Sequence, residues 1–214
     1  MKKKPILVTD VDFVLLDWVY GLKPFLDEKG MKSDHLEQFR GSTYYPCLSE
    51  LFFNKNEDEN IKLLHEFNDS EHIKHLPIFQ NDSVKFLQNI AQEVDIYALT
   101  CLGSGVLQKE NREQNLRDHY GDIFADTICI PVRTSKEPAL RDLQKHHEIL
   151  HYVDDRILHL KEAVDCNIDT ILYKRNEDHP DTKHYISNCW SDIEAKTNKT
   201  LQRKIKSAKL TFKI

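Results

Sequence analysis

The sequence predicts an α/β protein: a mostly parallel, Rossmann-like sheet flanked by helices, with a helical segment inserted near its start. Two observations predict this. Short apolar runs rich in β-branched residues recur along the chain and alternate with helix-like stretches, the pattern of βαβ units. Between the first run and the second, residues 18–76 carry no strong strand signal. A βα connection normally takes only a few residues, so that length argues for an inserted subdomain.

The runs are PILVTD (5–10), VDIYALT (94–100), TICIPV (127–132), ILHYVDD (149–155) and DTILYK (169–174). Between them, residues 82–93 place Val84, Phe86, Leu87 and Ile90 near one helical face, and residues 156–167 do the same with Ile157, Leu160, Ala163 and Val164. The insertion reads as helical through YGLKPFLDEKG, SDHLEQFR, SELFF and DENIKLLHEF. The chain therefore divides into an α/β core of residues 1–17 and 77–195, a helical cap over 18–76, and a basic tail over 196–214. That tail is a solvated terminal helix or frayed end, or else a contact for a partner or polyanion.

Composition bounds the function. Of 214 residues, 40% are apolar and 30% charged, which excludes intrinsic disorder. A net charge of −5 gives no whole-chain case for nucleic acid, so polyanion binding must be argued locally. Five scattered cysteines without CxxC spacing indicate reduced thiols and a cytoplasmic setting. Asp10 and Asp12 interrupt what would otherwise be the apolar stretch of a signal peptide, and no apolar run approaches the ~18 residues of a membrane span.

In a parallel sheet, ligands bind beyond the C-terminal strand ends. Asp10 and Asp12 follow the first run, Thr100 ends the second, and Asp154 and Asp155 end the fourth. Gathering these carboxylates in one crevice requires a cation, and an all-oxygen donor set favours Mg²⁺. Lys136, after the third run, could hold a phosphate against the acidic cluster, and nearby Arg133 could substitute for it. Asp10 could attack phosphorus to form an aspartyl-phosphate, with Asp12 donating a proton to the leaving oxygen and taking one from water. The bland alternatives are solvated strand ends or helix N-caps for the aspartates and an N-cap for Thr100.

The motifs ILVTDVD, IYALT, SKEPAL and HYVDD, in that order, resemble the four motifs of the haloacid dehalogenase-like (HAD) superfamily. The resemblance implies Asp10 as nucleophile, Asp12 as general acid/base, Thr100 and Lys136 as phosphate-binding residues, and Asp154 with Asp155 as metal carboxylates. Mg²⁺ would be held by Asp10, the Asp12 backbone carbonyl and one of the last pair, Asp154 first. The insertion resembles a C1-type cap, and the layout of the motifs is similar to the 5′(3′)-deoxyribonucleotidase group. Together these imply a phosphatase for a small phosphorylated metabolite, first a nucleoside monophosphate. A phosphotransferase or mutase, a nucleic-acid 3′-phosphatase and a non-catalytic phospho-ligand domain are the alternatives. Phe13 stands where the family carries glycine, a residue that tolerates positive φ.

In the cap, Arg40, Ser42, Thr43 and Tyr44 surround a glycine and could read the leaving group, although a core or turn role fits the tyrosine equally well. The histidines show no spacing that suggests a metal site.

Overall fold

The computed structural model describes residues 4–39, 46–173 and 184–211. Its centre is a six-stranded sheet, every pairing parallel, in the order β3-β2-β1-β4-β5-β6. The strands are β1 (Ile6–Thr9), β2 (Asp95–Thr100), β3 (Phe124–Cys129), β4 (Ile149–Asp154), β5 (Thr170–Tyr173) and β6 (Tyr185–Ser187). The chain builds outward from β1 to β3, then returns to β4 on the other side of β1. The order therefore reverses between β1 and β4, the place where a parallel sheet opens a crevice at its C-terminal edge.

Alternation along the strands assembles two cores. Leu7, Ile96 and Ile171 face one side, where α4 (Asp82–Ala91), α5 (Val106–Tyr120) and α8 (Trp190–Thr211) contribute Leu87, Leu116 and Trp190, and the same buried cluster extends to Leu22 of α1 (Trp18–Glu28). Ile6, Val8, Leu99 and Leu172 face the other, against Leu140 of α6 (Glu137–His146) and Leu160 of α7 (Ile157–Asp165). Full burial of each such aliphatic side chain stabilises by about 1.5–3 kcal/mol. The pattern explains why the β1 run is apolar without a break: both faces of the strand are covered.

Within residues 18–76, the described elements are all helical: α1, α2 (Leu48–Leu51), α3 (Glu57–Asn68) and two 3₁₀ turns, Asp34–Phe39 and Glu71–His75. Asn56 starts α3 by accepting the N–H groups of Asp58 and Glu59, and the acidic first turn of Glu57, Asp58 and Glu59 complements the helix dipole. The basic segment from residue 196 continues α8 as far as Thr211. No helix among the described residues is long and apolar enough to cross a membrane, and all five cysteines are free.

The structure departs from the expected boundaries at both sheet edges. β3 begins at Phe124, before the apolar run at 127, because Ala125 and Asp126 are exposed on an edge strand and carry no apolar signal. β6 was not expected: its exposed Tyr185 and Ile186 leave only Ser187 buried.

Candidate active site

Asp10 leaves the end of β1, its N–H donating to the Val153 carbonyl of β4 at 2.8 Å. A tight turn follows, in which the Val11 carbonyl accepts the N–H groups of Leu15 at 2.8 Å and Leu16 at 3.0 Å. Phe13 sits in this turn with φ +63°, so the left-handed geometry expected of glycine is kept by a phenylalanine. The conformation costs about 1–2 kcal/mol for a residue with a Cβ. Its ring packs 6.3 Å from Trp18 and 6.4 Å from Phe79, centroid to centroid, which offsets part of that cost.

Lys136 stands at the N-cap of α6 and turns inward. Its Nζ donates to Asp10 Oδ1 at 2.7 Å and to Asp154 Oδ2 at 2.8 Å, with all three residues buried. Burial works against the ammonium, but Asp10 and Asp154 outweigh it and hold the proton on lysine. The backbone N–H of Lys136 donates to Glu162 on α7 at 2.9 Å, which fixes the start of α6. No donor among the described residues reaches Asp10 Oδ2.

The acidic pair at the end of β4 is divided in its environment. Asp154 accepts three hydrogen bonds: Oδ2 accepts from Lys136 and from the Tyr152 hydroxyl, and Oδ1 from the Arg156 backbone N–H at 2.7 Å. Burial opposes its charge, yet Lys136 holds its carboxyl below the usual range. Asp155 instead lines the cavity, and burial, followed by the charges of Asp154 and Asp10, pushes its carboxyl well above the usual range. Burial also raises Asp10 to about 7, with Lys136 opposing and Asp154 and Asp12 adding. Oxygens of Asp10, Asp154 and Asp155 lie within 4.8 Å of one another. Hard oxygen donors whose mutual repulsion disfavours ionisation suit a hard divalent cation.

Asp12 points to a different set of partners. Its Oδ2 accepts from the Thr100 hydroxyl at 3.2 Å and its Oδ1 from Arg112 Nη2 of α5 at 2.7 Å. Arg112 is fully buried and did not emerge from the sequence. It lies in a helix without amphipathic periodicity, in which Asn111, Arg112 and Asn115 occupy the buried face. That polar inner face is the one signal available, and it becomes legible only when its partner, a hundred residues away, is known.

A cavity of about 480 Å³ opens above these groups. Asp10, Asp12, Thr100, Lys136 and Asp155 line its polar end, and Phe13, Trp18, Leu48, Leu51 and Leu64 form an apolar wall. Glu57 of α3 and Arg133, which both line the cavity, pair at 2.6 Å across the insertion and the core. The expected leaving-group residues Arg40, Ser42, Thr43 and Tyr44 lie outside the described residues.

No family model matches the sequence. A 32.4 kDa uncharacterised protein of enterobacteria phage T4, from its Gp30-rIII intergenic region, is 24% identical over 196 residues, covering 90% of this chain and 69% of the phage protein. Among solved structures, a haloacid dehalogenase-like hydrolase from Streptococcus pneumoniae superposes with TM-score 0.65 at 16% identity, covering 91% of this chain and 99% of that one. A Clostridium difficile protein assigned as a phosphatase gives 0.64 at 19% identity, with coverage of 91% and 99%. A dehalogenase gives 0.58 at 15% identity, with coverage of 90% and 96%. The chain has the haloacid dehalogenase-like fold, with an acidic cluster at the switch point of its sheet.

Proposed function

We propose that the chain is a Mg²⁺-dependent phosphatase that hydrolyses a small phosphomonoester through an aspartyl-phosphate on Asp10. One observation carries the reading: Asp10 keeps Oδ2 without a donor at the cavity end of β1, while Asp12, two residues on, offers a second carboxylate held separately from the acidic cluster. The fold is shared by phosphatases and a dehalogenase, so it does not choose between them. Asp12 favours the phosphatase, because an alkoxide leaving group needs a proton and a halide does not.

In the proposed reaction, Asp10 Oδ2 attacks phosphorus, the ester P–O bond breaks, and the leaving oxygen takes a proton from Asp12. Water then attacks the phosphorus and gives a proton to Asp12, releasing inorganic phosphate and restoring Asp10. Lys136 keeps the Asp10 carboxylate oriented and balances its charge. Thr100 donates its hydroxyl to a phosphate oxygen. Mg²⁺, when bound by Asp10, Asp155 and the Asp12 backbone carbonyl, would neutralise the carboxylates and the incoming phosphate. Asp155 replaces Asp154 as the preferred direct ligand, since the oxygens of Asp154 are already occupied by Lys136, Tyr152 and Arg156. Residues 18–76 would act as the cap that selects the substrate, and a nucleoside monophosphate is the first candidate.

The test is phosphate release from a panel of nucleotides and sugar phosphates, with Mg²⁺ and with EDTA, beside Asp10→Asn. Release that needs both Mg²⁺ and Asp10 supports the mechanism. Turnover unchanged in Asp10→Asn removes Asp10 as nucleophile, and silence across the panel favours a ligand-binding role without turnover.

A further inference from the structure

We propose that Arg112 is a positioning residue: it anchors Oδ1 of Asp12, so that a phosphate competing for the Thr100 hydroxyl frees Oδ2 to serve the leaving group. The inference rests on the phosphatase reading and deepens it.

Three observations converge. First, the Arg112–Asp12 contact, at 2.7 Å, involves a fully buried guanidinium whose Nε and Nη1 have no hydrogen-bond partner among the described residues. Burying a cation with so few partners is costly, and a side chain needed only for volume would be better served by an apolar residue. Asp12 is the acceptor that compensates it. Second, Thr100 has a single hydroxyl proton and spends it on Asp12 Oδ2 at 3.2 Å, a long contact. A phosphate oxygen beside Thr100 would compete for that proton, and its transfer leaves Oδ2 without a donor while Arg112 retains Oδ1.

Third, α5 is a rigid base for such an anchor. One turn beyond Arg112, Asn115 Nδ2 donates to the Leu76 carbonyl at 2.9 Å, and His119 Nε2 lies 2.7 Å from the same oxygen. Leu76 is where the inserted helices return to the core, so one helix holds both that return and Asp12. A residue fixed by packed elements keeps a reacting group within the narrow tolerance that proton transfer requires.

The experiment compares an alkyl phosphate with p-nitrophenyl phosphate in the unaltered chain, Arg112→Met and Arg112→Lys, at saturating Mg²⁺. Hydrolysis of the aspartyl-phosphate uses Asp12 as base with either substrate, but its formation, which kcat/KM reports, needs the Asp12 proton only for a basic leaving group. Arg112→Met is expected to lose about a hundredfold in kcat/KM on the alkyl phosphate, and less than about threefold in kcat/KM on the aryl phosphate. Arg112→Lys, which keeps the charge and carries the test where Arg112→Met does not fold, is expected to recover part of the alkyl activity. In crystals grown with Mg²⁺ and orthovanadate, Thr100 is expected to donate to the anion while Arg112 stays on Asp12. Equal losses in kcat/KM on both substrates, no loss on either, or a Thr100–Asp12 bond that persists with the anion bound would each overturn the inference alone. Absence of both turnover and vanadate binding in the unaltered chain would overturn the phosphatase reading and this inference with it.

Discussion

Lys136 Nζ lies 2.7 Å from Asp10 Oδ1, joining the start of α6 to the end of β1 across 126 residues of sequence. The ammonium also reaches Asp154 Oδ2 at 2.8 Å, so one buried cation stands between two buried carboxylates from adjacent strands. Coulomb attraction in such a setting is strong but is largely spent on desolvation, so the pairing is better understood as fixing geometry than as adding stability. What it fixes is the orientation of the carboxylate that would attack phosphorus.

Removing the cation exposes that balance. Lys136→Met leaves Asp10 and Asp154 facing each other without a counter-charge, and breaking a buried pair in this way costs about 3–5 kcal/mol. Mg²⁺ should return part of the loss by binding the same carboxylates in the folded state only. Urea denaturation in EDTA and in Mg²⁺ measures both numbers. A variant as stable as the unaltered chain in EDTA would show that the triad contributes nothing to the fold.

The two aspartates at the end of β4 should respond in opposite ways. Asp154→Asn weakens the acceptor for Lys136, Tyr152 and Arg156, so it is expected to destabilise the chain with or without Mg²⁺. Asp155→Asn relieves repulsion from Asp154 and Asp10. It is expected to leave metal-free stability unchanged or raised and to weaken Mg²⁺ binding by about tenfold or more. Calorimetric titration with Mg²⁺ beside thermal melts separates them, and the reverse pattern would return Asp154 to the role of direct ligand.

Much of this arrangement is legible in the sequence, for physical reasons that differ residue by residue. β1, β2, β4 and β5 announce themselves because buried parallel strands need apolar side chains on both faces, and their polar ends then stand out as Asp10, Thr100 and Asp154. Edge strands lack that signal, which hides β6 and the first residues of β3. Arg112 is hidden for another reason. Its partner is remote in sequence, and a charged residue on a helix ordinarily reads as solvent-facing. The division between Asp154 and Asp155 is also invisible in one dimension, because it depends on which of two neighbouring side chains meets Lys136.

His151 offers a pH test away from the acidic cluster. It lies buried on β4 with Nε2 3.1 Å from the Thr200 hydroxyl of α8, and burial, reinforced by Lys196 and Lys204 against Asp169, lowers its pKa from 6.5 to about 4. Between those values the unfolded chain binds the proton and the folded chain does not, so stability rises with pH across that window and is complete above 6.5. The contribution amounts to as much as ~3 kcal/mol. His151→Gln cannot take up the proton, so its stability should fall less steeply from pH 6.5 to 4 than that of the unaltered chain. Parallel slopes in urea denaturation series would mean that His151 titrates alike in both states.

Phe13 permits a test in which the usual order of two substitutions inverts. At an ordinary backbone position, glycine is less stable than alanine by about 0.5–1 kcal/mol, because the unfolded chain gains freedom. At φ +63° the alanine Cβ meets the same strain as phenylalanine, whereas glycine does not. Phe13→Gly and Phe13→Ala both lose the ring contacts with Trp18 and Phe79, so comparing them cancels the packing and leaves the backbone. Phe13→Gly is therefore expected to be more stable than Phe13→Ala by about 1 kcal/mol. Equal stability, or alanine the more stable, would mean that the turn relaxes out of the left-handed region once the ring is gone. In that case the packing of Phe13 imposes the turn, and the loop that carries Asp12 is held in place by an aromatic contact.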